Sequence, residues 1–162
     1  MNETSKEQCC PPFNPSLWEE KTVTFKNKLF VKKATPQFLH MPLPGTIGKM
    51  MMNVWKAIES AGAKPAEQDF LWLAYDPSPW KCEHYIHTAK EVPGLENVKI
   101  SGTFITKVFD GPFNHVPRWI KEMNAYLAAQ GKKAKKYYFY YTTCPKCAKK
   151  YGHNYVVIFA EI

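Results

Sequence analysis

Arginine is nearly absent: of the 22 Lys+Arg residues only Arg118 is an arginine, although the formal net charge is +8. Reading of base edges in a nucleic-acid groove leans on the guanidinium fork, so a basic balance made of lysine argues for a solvated rim and against nucleic acid as partner. Long apolar runs are missing too. Nothing approaches the roughly 20 consecutive apolar residues of a membrane-spanning helix, and the first 20 residues lack the basic-then-apolar order of a secretory signal. The expectation is a cytoplasmic protein with no membrane partner. Gly-rich phosphate loops, nucleophile elbows and His-Glu-x-x-His helices do not occur, which disfavours nucleotide cofactors and the common hydrolase triads. No cofactor is required by anything in the sequence.

Cysteine is sparse and odd in number: Cys9, Cys10, Cys82, Cys144 and Cys147. That is not the density of a secreted disulfide scaffold, and it leaves reduced thiols or a metal site. Cys144-Pro145-Lys146-Cys147 has the spacing of a zinc knuckle. A structural zinc needs two further ligands, which Cys9, Cys10 or His153 can supply if the N-terminal arm folds over this segment. A redox dithiol and inert thiols on a tight hairpin are the other readings, and Cys82 reads as a spare thiol.

What is abundant is apolar and aromatic: 45% of the 162 residues are hydrophobic and 15% aromatic, enough for one substantial core in one domain. Residues 1–20, with Cys-Cys-Pro-Pro-Phe-Asn-Pro at 9–15, read as an extended arm that Trp18 pins to a domain over 21–162. Thr22–Lys26 and Leu29–Lys32 around Asn27-Lys28 suggest a hairpin. From residue 36 a strand (Gln37–Met41) leads through Pro44-Gly45 to a helix with Ile47, Met51, Val54, Trp55, Ile58 and Ala61 on one face, stopping near Gly62. Strands at Phe70–Tyr75 and Glu83–Thr88 follow, joined by a turn at Asp76–Pro79. The order then recurs: a strand over 98–109, a turn at Asp110-Gly111-Pro112, a helix presenting Val116, Trp119, Ile120, Met123 and Leu127 and ending near Gly131, then strands at Tyr137–Tyr141 and Tyr155–Ala160 joined by a hairpin tip. Gly45 and Gly111 start the two helices, a sign of internal duplication.

The expected fold is therefore α+β, with duplicated strand-helix-strand-strand units over about 36–92 and 97–162 forming an antiparallel sheet with two helices on one face. In such an arrangement the seam between the copies is the natural place for a ligand.

The Gly-started helix, Glu83-x-Tyr85 after a Pro-rich turn, Ser101-Gly102-Thr103-Phe104 leading to Asp110-Gly111-Pro112, and Tyr140-Tyr141 with Tyr155-Val156-Val157 together resemble the GyrI-like small-molecule-binding superfamily. The resemblance covers roughly residues 20–162. A stand-alone branch labelled hydrolase is similar in its Cys-Cys-Pro-Pro-Phe-like start and in Thr-Thr-Cys-Pro-Lys-Cys-Ala-Lys-Lys-Tyr-Gly. Some stand-alone relatives open strained cyclopropane rings with water. The resemblance implies a cleft with aromatic walls and a carboxylate inside. The superfamily's acidic residue at the start of the last strand falls here near Asn154, so the carboxylate has to come from the first copy, with Glu83 the candidate.

Glu83, Tyr85 and His87 alternate onto one face of a strand, with Trp80 just before them. A carboxylate among aromatic rings is partly desolvated, which raises its pKa toward use as a general acid or base and draws in a cationic ligand; the plainer alternative is an edge-strand Glu paired with a surface lysine. Of the tyrosine run, either Tyr138 and Tyr140 or Tyr137 and Tyr141 line a pocket, since buried hydroxyls need partners. His40, His84, His87, His115 and His153 are scattered and read as structural or exposed, with His84 and His87 on opposite faces.

Two functions fit. In one, the protein is a hydrolase or detoxifying enzyme, with Glu83 activating water and Trp80, Tyr85, His87, Trp119, Tyr138 and Tyr140 enclosing an apolar or cationic small molecule. In the other, it is a module that binds or sequesters such a compound without turning it over. Residues 1–35 are too short and proline-rich for a DNA-binding helical domain.

Overall fold

The computed structural model describes residues 13–143 and 145–162. The chain forms two compact units, one made of Thr24–Thr103 and the other of Phe104–Ile162 together with the described residues up to Val23. The element order is β1 (Lys21–Phe38), β2 (Met41–Pro42), α1 (Thr46–Ser60), β3 (Trp72–Ser78), β4 (Lys81–His87), β5 (Glu96–Asp110), α2 (Val116–Ala128), β6 (Lys136–Tyr141), α3 (Pro145–Tyr151) and β7 (Tyr155–Glu161).

In the first unit, β4 lies between β1 and β3, antiparallel to both. Its helix-side core joins Val31 and Ile86 of the strands to Val54 and Ile58 of α1, all four fully buried. Side chains of this size contribute roughly 1.5–3 kcal/mol each on leaving water, so the 3.6-residue spacing of the α1 face is what seats the helix. In the second unit, β7 lies between β5 and β6, again antiparallel. Trp119, Met123 and Leu127 of α2 close over Ile105, Phe109, Phe139, Val156 and Ile158. The two units thus repeat one topology: the opening strand pairs with the last, and the last with the strand after the helix.

The helix ends repeat as well. The N–H of Ala63 reaches back to Ile58 O at 3.0 Å, and that of Lys132 to Leu127 O at 3.0 Å. Each closes a Schellman-type cap, with Gly62 at φ 61° and Gly131 at φ 68° in the left-handed region that glycine adopts without penalty. Gly45 directly precedes α1. A 3-10 turn over Phe113–His115 separates Gly111 from α2.

Several local expectations are corrected. Asn27-Lys28 is no hairpin turn, because β1 runs unbroken from Lys21 to Phe38. Of the two only Asn27 (φ 50°) has left-handed backbone; its N–H donates to Ser101 Oγ at 2.8 Å and the strand continues. The turn instead falls at Leu39 (φ 49°) and His40 (φ 66°), splitting the strand expected at 37–41 into the ends of β1 and β2. His40 is held there by its N–H to Pro79 O at 3.1 Å and by Nδ1 against Asp76 Oδ2 at 2.7 Å. Finally, β3 extends through Asp76–Ser78 with a register irregularity. The link between β6 and β7 is not a tight hairpin, since it contains α3. In the described part of the N-terminal arm, Pro15–Leu17 form a 3-10 turn capped by the Asn14 side chain.

Candidate functional site

Strand alternation sorts β4 into two faces. His84 and Ile86 point toward the α1 side, where Ile86 joins the core. His84 accepts from Trp72 Nε1 at 3.0 Å through Nδ1, so the proton sits on Nε2, which donates to Thr35 Oγ1 at 2.9 Å. Burial pushes its pKa down to about 4, making it a neutral, structural histidine.

Glu83, Tyr85 and His87 occupy the helix-free face, as their spacing predicts. Register places Lys32 and Leu73 beside Tyr85, Tyr75 beside Glu83 and Phe30 beside His87. The Tyr85 hydroxyl donates to Glu83 Oε2 at 2.8 Å. Oε1 faces two ammonium groups, Lys81 Nζ at 3.3 Å and Lys32 Nζ at 3.5 Å. Lys32 also lies over the Tyr85 ring, 5.9 Å from its centroid, and Phe30 meets Tyr85 edge-on at 6.5 Å. Glu83 is only 8% exposed.

The expected direction of the Glu83 pKa is overturned. Burial does push it up, but the Tyr85 hydroxyl, the Lys81 ammonium and the Lys32 charge outweigh burial and hold it below the ordinary carboxylate value. The group is an anion at neutral pH. It can accept a proton or orient a water, and it has no proton to give as a general acid.

His87 donates from Nδ1 to Leu29 O at 2.8 Å. A carbonyl only accepts, so the proton is fixed on Nδ1 and Nε2 is left as the basic nitrogen. Burial lowers its pKa; Lys28 adds to this, while the Leu29 carbonyl and Asp69 oppose it. His87 lies four positions along the strand from Glu83, roughly 13 Å at the strand rise, so the two do not share one proton path. Trp80 stands apart in the β3–β4 turn, 58% exposed and 5.6 Å from the Phe38 ring. Cys82 is an inert thiol, pushed up to about 12 by burial and by the charges of Asp76 and Glu83.

In the second unit the tyrosine run divides in the same way. Tyr138, 4% exposed, lies on the helix-free face with Phe104 at 6.0 Å, and Tyr140 meets Trp18 edge-on at 6.3 Å. Tyr137 lies on the helix side, where its hydroxyl donates to Asn124 Oδ1 of α2. Trp119 is also on the helix side, 4% exposed and stacked on Phe109 at 5.6 Å. It belongs to the core under α2 and does not share a wall with Tyr138 and Tyr140.

A hollow of about 420 Å³ in this unit is lined by Pro15, Ser16, Glu19, Phe109, Asp110 and Tyr155 among others. Its two carboxylates are already engaged. Glu19 takes Lys107 Nζ and the Val108 N–H, both at 2.9 Å, and Asp110 takes His153 Nδ1 at 2.8 Å and the Asn154 N–H at 2.9 Å. Asn154 thus ties the start of β7 to the end of β5. This hollow is a poorer candidate than the Glu83 face.

The proposed metal ligands find no support. Cys147 is buried on α3, His153 is bound to Asp110, and Cys9, Cys10 and Cys144 lie outside the described residues. Among the described residues no group of three or more His, Cys, Asp or Glu side chains is gathered for a metal ion. Nor is any described helix long and apolar enough to cross a membrane.

Sequence reasoning allowed for a lysine beside Glu83 but named neither Lys32 nor Lys81. Lys81 has a local signal, standing two residues from Glu83 on the same strand face, but Lys32 comes from β1 and only the register brings it there. Tyr75 arrives from β3 in the same way.

Antiparallel strands, one helix packed on each unit and a buried carboxylate on a helix-free aromatic face define an α+β protein of duplicated strand-helix-strand-strand topology. The chain belongs to the bacterial hydrolase family, whose model matches residues 1–162. Its fold is shared with three solved structures from Listeria innocua. A hydrolase encoded by lin2189 is 12% identical with a TM-score of 0.61, and an uncharacterized conserved protein is 11% identical with a TM-score of 0.62. Another hydrolase is 11% identical with a TM-score of 0.61. Each alignment covers 88% of this chain and 91% of the other. No curated protein matches the sequence.

Proposed function

We propose that this protein is a cytoplasmic hydrolase of the GyrI-like kind that takes an apolar small molecule on the helix-free face of its first unit, with Glu83 as the group that activates water. The observation that carries the reading is the state of Glu83: a buried, ionised carboxylate whose second oxygen is fixed by the Tyr85 hydroxyl at 2.8 Å. An anion held in one orientation accepts a proton from water as the water oxygen attacks, and the proton ends on the leaving group. Around Glu83 the half-buried His87 borders solvent, and the buried Phe30, Leu73 and Tyr85 exclude bulk water. Tyr138 and Tyr140 belong to a separate aromatic cluster in their own unit, where Phe104 and Trp18 pack on them. The bacterial hydrolase family supports this class of reaction, and the near absence of arginine supports a small molecule over nucleic acid.

A second reading has its own support. With Lys81, Lys32 and Tyr85 all on one carboxylate, Glu83 is a weak base, which suits a module that binds without turnover.

Thermal-shift screening of the purified chain against apolar compounds, with every hit followed by mass spectrometry and repeated on Glu83→Gln, separates the two. Turnover that falls at least about 100-fold in the variant, the scale of a lost general base, is the expected result. Stabilisation with no product supports binding alone, and turnover unaffected by the substitution removes Glu83 from the chemistry.

A further inference from the structure

We propose that Lys32 and Lys81 are specificity-determining residues that set the Glu83 face against cationic ligands and toward apolar molecules carrying an anionic or hydrogen-bond-accepting group. The inference rests on the small-molecule reading of this face and names the ligand class it takes.

A lone carboxylate among aromatic rings is the standard recipe for attracting a cation. This face departs from the recipe in its charge balance. Glu83 Oε1 already has an ammonium at 3.3 Å and another at 3.5 Å, and Oε2 is filled by the Tyr85 hydroxyl at 2.8 Å. The aromatic surface is taken in the same manner, since the Lys32 ammonium sits 5.9 Å from the Tyr85 ring centroid. Two positive groups against one negative leave an excess of positive charge. An incoming cation has to displace a lysine from Glu83 and then remain beside both ammonium groups, at a cost that grows as water is excluded. A carboxylate, phosphate or carbonyl oxygen on an apolar ligand meets the opposite situation. Its acceptor faces two donors, of which Lys32 stays on Glu83 while the more exposed Lys81 turns toward the ligand.

The two lysines differ in how freely they can respond. The Lys32 side chain is 29% exposed and the Lys81 side chain 53%. Lys32 leaves a central position on β1, while Lys81 opens β4 beside the turn. Lys32 therefore acts as the fixed donor and Lys81 as the one that swings to an arriving ligand.

Three probes of one shape test this: 2-naphthoate, 2-naphthamide and (2-naphthylmethyl)trimethylammonium, titrated at low salt into the full chain, the two single Lys→Met variants and the Lys32→Met/Lys81→Met pair. Thermal unfolding checks that each variant is folded. The expected result is that the unmodified protein binds the naphthoate and naphthamide about tenfold more tightly than the cation, and that the double variant reverses the order. Titration of the Glu83 carboxyl by NMR gives a ligand-free reading, with the midpoint rising in the double variant. Cation preference in the unmodified protein, or a Glu83 midpoint unmoved by losing both lysines, overturns the inference and leaves the site reading standing. Binding of no probe by any variant, with the midpoint shifted as expected, instead overturns the small-molecule reading of the face, and the charge preference falls with it.

Discussion

The two units share a topology and the same helix caps but use their helix-free faces differently. In the first, β4 turns Glu83, Tyr85 and His87 to that face, where a carboxylate gathers two lysines and a hydroxyl. In the second, β7 turns Val157 and Phe159 to the corresponding face, and the arm packs on it: Trp18 lies 5.2 Å from the Phe159 ring, and Thr106 Oγ1 donates to the Trp18 carbonyl at 2.5 Å. One copy keeps polar chemistry where the other has apolar packing. A duplicated scaffold can divide its labour in this way because a strand face tolerates any residues that satisfy one another, whereas the helix side has to fit a helix.

Substitutions should separate the faces. The largest stability effect is expected from Phe159→Ala, which empties a fully buried site in the second unit. A loss of about 3–5 kcal/mol in urea unfolding is the scale for such a truncation, and a loss below about 1 kcal/mol breaks the assignment of that face to packing.

Next comes acid. The folded pKa of His84 lies at about 4, below its unfolded value near 6.5. Its contribution is full above pH ~6.5 and is lost as pH falls toward 4, because the unfolded chain takes up the proton first, and at most about 3 kcal/mol is at stake. Glu83 is also depressed, so its share persists above the ordinary carboxylate value and disappears at still lower pH, as the group protonates. The measurement is stability against pH for the protein and for His84→Gln. The variant should shrink the limb below pH ~6.5 by the His84 share, keep the His87 share, since that pKa is lowered too, and leave the more acidic limb unchanged.

The smallest effect on stability is expected from Tyr85→Phe, which removes one hydrogen bond to Glu83, worth roughly 1 kcal/mol or somewhat more because the acceptor is charged. Its diagnostic effect is a raised Glu83 midpoint by NMR with ligand binding weakened. A midpoint that stays put would sever Tyr85 from the state of the carboxylate.

Much of this was readable along the chain. The faces of α1 and α2, the capping glycines Gly62 and Gly131 and the alternation of Glu83, Tyr85 and His87 follow from periods of 3.6 and 2, which are properties of local backbone geometry. Trp119 shows where that reading stops. Its spacing correctly places it on the inner face of α2, but only packing shows that Phe109 covers it. The turns failed for a related reason. Asn27-Lys28 has the composition of a turn and Leu39-His40 does not, yet Pro79 and Asp76, brought close by pairing of other strands, hold the second pair in left-handed backbone.

The sequence by itself determined the α+β class, the duplication and the face on which the carboxylate stands, because these depend on neighbours within a few residues. Only the tertiary structure decided that Glu83 is an anion held by two lysines. Its charge depends on the balance between burial and opposite charge, and Lys32, which helps tip that balance, reaches it only through the register of β1 against β4.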